Sequence, residues 1–208
     1  MAADQERYVL RSTLTSPFGR KVRMAAEVLG LAGHITLEPG DPLDATDTLR
    51  VQNPLGKMPC LVLADGTAIY DSGVIIEFLQ DVAGGDLLLP ASGMARIKAL
   101  TRARLADGIT EAAILVVYES RFRDPGTQSD RWLTHQRGKI TRALDAFEVA
   151  PPDADKIDIV AIGLSCALGY LDWRRPVDWR PTHSNLAGWL KAFAVNEPAF
   201  ERTRAPNS

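Results

Sequence analysis

Up to about Leu89 the chain mixes short apolar runs with helix-spaced stretches; beyond Pro90 only helical spacing remains. Tyr8-Val9-Leu10 is a short β-prone run. From Phe18 to Leu31, Val22, Ala25, Ala26 and Leu29 recur at the i, i+3, i+4, i+7 positions of an amphipathic helix. Gly30 and Gly33 are its stop signals. Ile35-Thr36-Leu37 reads as a second strand, parallel to the first because a helix lies between them. Asn53-Pro54-Leu55-Gly56 is a turn, and Cys60-Leu61-Val62-Leu63 a buried strand. Asp65-Gly66 is a tight hairpin turn that returns Thr67-Ala68-Ile69-Tyr70 antiparallel. Asp71-Ser72 opens a helix through Leu79.

The second half predicts helices alone. Ile97, Leu100, Ala103, Leu105, Ile109, Ala112, Leu115 and Val116 mark one long helix, ended by Asp124-Pro125-Gly126. Leu133, Gln136, Ile140, Leu144 and Phe147 mark the next, broken by Pro151-Pro152. Asp155 to Leu171 is apolar on most sides, which places it at the centre of a bundle. Asn185 to Val195 is the final helix, and Pro206-Asn207-Ser208 is expected to fray. The expected domains are 7–83, a linker 84–92 with Gly84-Gly85 and Pro90, and an all-helical 93–208. A βαβ unit, a connection and a ββα unit follow the thioredoxin-like order, so the fold class is an α/β thioredoxin-like domain plus an all-α domain.

Composition narrows the function. A chain of 208 residues that is 46% hydrophobic and 24% charged buries a core without staples. Lys and Arg number 24 and Asp and Glu 26, a net charge of −2 that gives no broad basic footprint for nucleic acid or an anionic membrane. Cys60 and Cys166 lie far apart, and the histidines are only His34, His135 and His183, so neither a zinc site nor a disulfide framework is expected. The polar stretch from Met1 to Arg7 has no signal-peptide core, and no apolar run matches a membrane span. The expectation is a cytoplasmic protein. Both cysteines read as core thiols, the histidines as surface or loop residues, Trp173, Trp179 and Trp189 as packing, and Arg174-Arg175 as a solvated pair.

Candidate chemistry sits on three turns of the first half. Ser16-Pro17-Phe18 has Ser at an N-cap and Pro at N1, which alone explains a helix start. A helix N-terminus also favours an anion, and a thiolate is such an anion. A glutaredoxin-like C-P-x-C would begin here, but the run is Ser16-Pro17-Phe18-Gly19, so a dithiol cycle is absent. Lys57-Met58-Pro59 leads into the third strand, and Asp71-Ser72 caps the helix after the hairpin.

Together these turns resemble the glutathione S-transferase family. Asp71-Ser72-Gly73-Val74-Ile75-Ile76-Glu77-Phe78-Leu79 is similar to its E/D-S-x-x-I-x-x-Y/F-L glutathione-site motif, and Asn53-Pro54-Leu55-Gly56-Lys57-Met58-Pro59 to its N-P-x-G-K-x-P motif. Thr15 through Lys21, Ala106-Asp107-Gly108-Ile109, Ala167 through Leu171 and Phe200-Glu201-Arg202-Thr203 resemble the bacterial YibF-like branch. The Ser-Pro-Phe start also resembles the plant tau-class enzymes, whose catalytic serine maps to Ser16; Tyr8 lies too early for the tyrosine of other classes. Asp155-Lys156-Ile157-Asp158 resembles the family's capping box at the central helix, with Asp155 as the cap.

The resemblance implies a transferase that binds reduced glutathione as co-substrate, with no metal or tightly bound cofactor. It implies a cis Met58–Pro59 bond, the cysteinyl backbone of glutathione on Met58, and its γ-glutamyl end at Asp71 and Ser72. The thiolate would lie by Ser16, with Phe18, Lys57 and Pro59 completing the site. A small hydrophobic electrophile would meet Tyr118, Arg121 and Phe122, in a cleft between the domains. It further implies a homodimer, a role in detoxification, and no nucleic-acid or membrane partner. Two alternatives remain: a non-enzymatic protein that binds a protein partner, as stringent-starvation proteins do, and a glutathione-dependent peroxidase, dehalogenase or isomerase.

Overall fold

The structure, a computed structural model, describes residues 7–206. The expected frayed end at Asn207-Ser208 and the stretch Met1 to Glu6 lie outside the described residues. Two compact units emerge. One runs to Ala91 and takes back the chain from Glu201; the other is Ser92–Phe200.

The first unit is built on a four-stranded sheet in the order β2-β1-β3-β4. Strand β1 (Tyr8–Arg11) runs parallel to β2 (Ile35–Glu38) and antiparallel to β3 (Cys60–Val62), and β4 (Ala68–Ile69) closes the edge antiparallel to β3. Helix α1 (Pro17–Val28) starts where Pro17 pre-sets φ, and Gly30 at φ 73° turns the chain away. Helix α2 (Leu49–Gln52) is one turn, and α3 (Ser72–Ala83) packs beside α1. Val22, Met24 and Ala25 of α1, Ile75, Ile76 and Leu79 of α3, and Leu10 and Leu61 of the sheet are fully buried together as its core. Tyr8 is buried edge-on to Phe78, ring centroids 5.6 Å apart, which makes it a packing residue.

Buried polar side chains hold the long connections of this unit. Arg11 donates to Asp47 at 2.6 Å, Thr48 at 2.7 Å, Gln52 at 2.8 Å and the Pro39 carbonyl at 3.1 Å. The segment expected as a linker folds back onto this unit: Leu88 and Leu89 are buried, their N–H groups donate to Gln80 Oε1 at 2.8 and 2.7 Å, and Gln80 Nε2 donates to the Leu89 carbonyl at 2.9 Å. The end of the chain also docks on α1. Arg202 pairs with Glu27 at 2.6 Å, and Arg23 donates to the Thr203 carbonyl at 2.8 Å.

The second unit is helical. Helix α4 (Gly93–Arg121) presents Ala103, Ala106, Ala112 and Ala113 among its buried residues, small side chains that let neighbouring helices approach. Helices α5 (Asp130–Val149) and α6 (Ile159–Arg174) both pack on it, α7 (Ser184–Asn196) packs on α5 and α6, and α8 (Ala199–Arg202) is a short turn that the spacing did not predict. Helix α6 is buried at every position from Ile159 to Leu168, as its all-round apolar pattern requires. By contrast Ile97, Leu105 and Leu115, expected on the buried face of α4, are exposed.

The central helix corrects one expectation. Asp155 is not its cap. Asp158 is, with its carboxylate accepting from Val160 N–H at 2.9 Å and Ala161 N–H at 3.0 Å. The physical reason is that Asp158 is extended (φ −142°, ψ 176°), so helical geometry begins only at Ile159. Asp155 lies in the preceding turn and accepts from Asn196 Nδ2 at 2.6 Å.

Candidate functional site

The strand register gathers the three turns. Strand β1 pairs Arg11 with Cys60, so the chain entering the Ser16 turn lies beside the chain leaving Pro59. Strand β3 pairs Leu61 with Ile69 in the antiparallel sense, so the same register carried on sets Pro59 level with Asp71. Ser16, Met58-Pro59 and Asp71-Ser72 therefore share one end of the sheet. The Met58–Pro59 bond is cis, as the resemblance implied, and so is Tyr70–Asp71.

Ser16 caps α1, its hydroxyl oxygen accepting from Gly19 N–H at 3.1 Å. Capping uses a lone pair and leaves the O–H proton free to donate. Pro17 has no N–H, and Arg20 N–H goes to the Ser16 carbonyl at 2.9 Å. Among the described residues nothing accepts from Phe18 N–H. The helix start thus presents two donors side by side, Ser16 O–H and Phe18 N–H, at the positive end of the helix dipole. Gly19 is forced by crowding here: a Cβ on it would stand 2.0 Å from Ser12 Oγ.

The second turn is fixed from beneath. Asn53 is 2% exposed; its Nδ2 donates to the Lys57 carbonyl at 2.8 Å and its Oδ1 accepts from Leu55 N–H at 3.1 Å. Gly56 turns at φ 60°. Lys57 is exposed, Met58 half-buried and Pro59 buried. At the third turn Asp71 caps α3, accepting from Gly73 N–H at 2.9 Å and Val74 N–H at 3.4 Å, while Ser72 is buried behind it. Both capping bonds of Asp71 use the one oxygen Oδ1, and the residue is exposed.

The spacing of apolar residues hid two buried cations on α1. Lys21 is 2% exposed with its Nζ 5.7 Å from the Phe18 ring centroid, and Arg20 is 7% exposed. They follow the cap directly and read as ordinary polar positions; no periodicity reports a buried charge. Burial pushes the Cys60 thiol above its usual range, against the nearby charge of Arg11, so it stays protonated and is no nucleophile at neutral pH. Both cysteines are free and buried. His183, expected at the surface or in a loop, lies in the loop before α7 but is buried, with Nε2 3.1 Å from Asp145 and Nδ1 3.0 Å from the Trp179 carbonyl.

Tyr118, Arg121 and Phe122 do come together, at the end of α4. The Tyr118 and Phe122 rings meet edge-to-face at 5.1 Å, and the Arg121 guanidinium lies 5.3 Å from the Tyr118 centroid. Among the described residues no group of His, Cys, Asp and Glu is arranged to hold a metal ion, and no helix is long and apolar enough to cross a membrane.

Residues 15–82 match the family model described as the glutathione S-transferase N-terminal domain. The chain is 31% identical over 204 residues to the Escherichia coli (strain K12) protein described as an uncharacterized GST-like protein, YibF, spanning 96% of this chain and 99% of that one. A glutathione transferase family member from Pseudomonas fluorescens Pf-5, solved with bound glutathione, is 39% identical, with a TM-score of 0.88 over 96% of this chain and 99% of that one. The same family member has also been solved with S-(propanoic acid)-glutathione. A glutathione S-transferase from Methylobacillus flagellatus KT, solved with glutathione, is 30% identical, with a TM-score of 0.83 over 95% and 98% of the two chains. The likeness runs the length of both units, well past the three turns that first suggested it, and this chain belongs to the glutathione S-transferase family.

Proposed function

We propose that this protein is a glutathione transferase that binds reduced glutathione at the three-turn end of its sheet and directs the thiolate at an electrophile. The observation that carries this is the paired donor at the start of α1. Ser16 accepts from Gly19 N–H and keeps its O–H proton to donate, so its role here is that of a hydrogen-bond donor to sulfur. A sulfur anion placed there gains the Ser16 O–H, the Phe18 N–H and the helix dipole at once.

The rest of the tripeptide is proposed to lie along the same end of the sheet. The Met58 backbone, half-buried before cis-Pro59, is the edge on which the cysteinyl backbone would pair by strand addition. Asp71 and Ser72 would meet the γ-glutamyl ammonium and carboxylate, with Lys57 exposed at the same turn. Lowering the thiol pKa by about one to two units corresponds to ~1.4–2.7 kcal/mol of preference for the thiolate. In the reaction a carbon–sulfur bond forms on the electrophile, its leaving group departs with the electron pair, and the thiol proton passes to solvent. The S-(propanoic acid)-glutathione on the Pseudomonas relative is a thioether of the kind such a reaction makes. Tyr118, Arg121 and Phe122 are proposed to receive the second substrate, and the assembly is proposed to be a homodimer.

Calorimetric titration with reduced glutathione tests the reading. Saturable binding with a thiolate absorbance near neutral pH is the expected result. Absence of binding at millimolar glutathione would refute it and turn attention to protein partners.

A further inference from the structure

The end of α4 does not stand alone. Helix α6 packs against α4, and its own end carries Tyr170, Trp173 and Arg174. Tyr170 meets Trp173 edge-to-face at 6.2 Å, and the Arg174 guanidinium lies 3.6 Å from the Trp173 ring centroid. Burial raises the Tyr170 hydroxyl above its ordinary range, against the lowering charges of Arg174 and Arg121, and Tyr118 also acts on it. Side chains of both helix ends thus act on this one hydroxyl, and Arg174 also acts on it as a hydrogen-bond donor. Arg174 Nε is shielded from solvent and has no acceptor among the described residues. Neither Arg121 nor Arg174 is paired with a carboxylate among them; Glu119 is taken by Arg123 at 2.9 Å and Asp172 by Arg180 at 2.7 Å.

Such an arrangement is unlike a hydrophobic pocket. Two guanidiniums held on aromatic faces keep planar, forked donors ready for an oxyanion. The exposed rings of Tyr118 and Phe122 offer apolar surface beside them. We propose that Tyr118, Arg121, Phe122, Tyr170, Trp173 and Arg174 form a binding site for a planar aromatic carboxylate, and that the electrophile joined to glutathione carries that carboxylate. The first part stands on these side chains; the second rests on the transferase reading above.

The probe is a chloronitrobenzoate, with its methyl ester as the uncharged control. On the benzoate the sulfur–carbon bond forms at the carbon bearing chlorine, chloride leaves with its electron pair, and the thiol proton goes to solvent. Calorimetric titration without glutathione reads the site itself. The acid is expected to bind more tightly than the ester. Arg174→Gln and Arg121→Gln are each expected to weaken acid binding by about tenfold or more, the cost of losing a charged hydrogen bond. Arg174→Lys is expected to restore part of it, and circular dichroism checks that each variant is folded. In turnover the acid-to-ester ratio of KM should rise in the Gln variants. Equal binding of acid and ester, or Gln variants that bind the acid as wild type does, would overturn the proposal even where glutathione binds. Acid binding that fails in folded Gln variants, beside a protein that ignores glutathione, would uphold the site and defeat the transferase reading.

Discussion

The two units bury their polar groups in different ways. In the first, short strands leave long connections, and buried polar side chains pin them: Arg11 holds the segment around Asp47–Gln52, Asn53 holds Leu55–Lys57, and Gln80 holds Leu88-Leu89. In the second, helices satisfy their own backbones; Asp107, Thr110, Gln136 and Ser165 are buried within them, and other polar side chains hold the helix ends. Asp158 caps α6, and Glu148 supplies α7 with the acceptor its own His183 does not, at 2.8 Å from Asn185 N–H and 2.9 Å from Leu186 N–H. A sheet of short strands thus needs particular residues at particular turns, whereas a bundle is specified largely by spacing.

The largest effect expected from this contrast lies in the bundle core. Leu164→Ala, at a fully buried position on α6, should cost roughly 2–5 kcal/mol in denaturant unfolding, because a helix packed on all sides cannot collapse onto the cavity. In the first unit the comparable weakness is close approach. Gly19→Ala should cost about 1–3 kcal/mol by overpacking against Ser12 and should also weaken glutathione binding, since Ser16 Cβ stands 3.3 Å from the added methyl. Ser12→Ala in the same chain should recover part of that loss in a double-mutant cycle; strict additivity would show that the two do not touch.

Smaller effects sharpen the comparison. Asp158→Ala should cost about 1 kcal/mol as a lost helix cap. Asp155→Ala should cost less, because its side chain meets only an exposed Asn196 amide; a larger loss at Asp155 would restore the capping role the motif suggested. Acid should act more on the first unit than on the second. Asp44, Asp47 and Asp65 are held below the usual carboxylate range chiefly by Thr46 Oγ1, by the Asp41 N–H and by the Thr67 N–H, whereas in the bundle Glu119 is so held by the Ser129 N–H. A lowered folded-state pKa adds stability that is fully present above the unfolded value and is lost as pH falls through the folded one. Hydrogen exchange followed from neutral to acid pH should therefore show loosening first around residues 41–67. Loss of protection in α4 and α5 ahead of that segment would contradict the contrast.

The same difference explains how much the sequence reveals. The three turns were legible because their chemistry is local: a Ser-Pro start, an N-P-x-G-K-x-P run and an Asp-Ser cap each require named residues. The α6 core was legible because burial on all sides needs an unbroken apolar stretch. Arg174 was misread as half of a solvated pair because its guanidinium lies over the ring of Trp173 beside it and it acts, with Tyr118 and Arg121 of another helix, on Tyr170. The spacing of Tyr170, Trp173 and Arg174 along one helix face was the only available signal. The α6 cap was misplaced because aspartates stand at both 155 and 158, and the motif cannot say which adopts extended geometry. The buried Arg20 and Lys21 carry no pattern at all.

The central claim is that the start of α1 stabilises a thiolate by donation from Ser16. The most direct measurement is the pKa of glutathione's thiol when bound, read from thiolate ultraviolet absorbance across pH, in wild type and Ser16→Ala. The account predicts that the variant still binds glutathione, through Met58, Asp71 and Ser72, while the bound thiol returns about one to two units toward its free value. An unchanged thiol pKa in a glutathione-bound Ser16→Ala protein would contradict it.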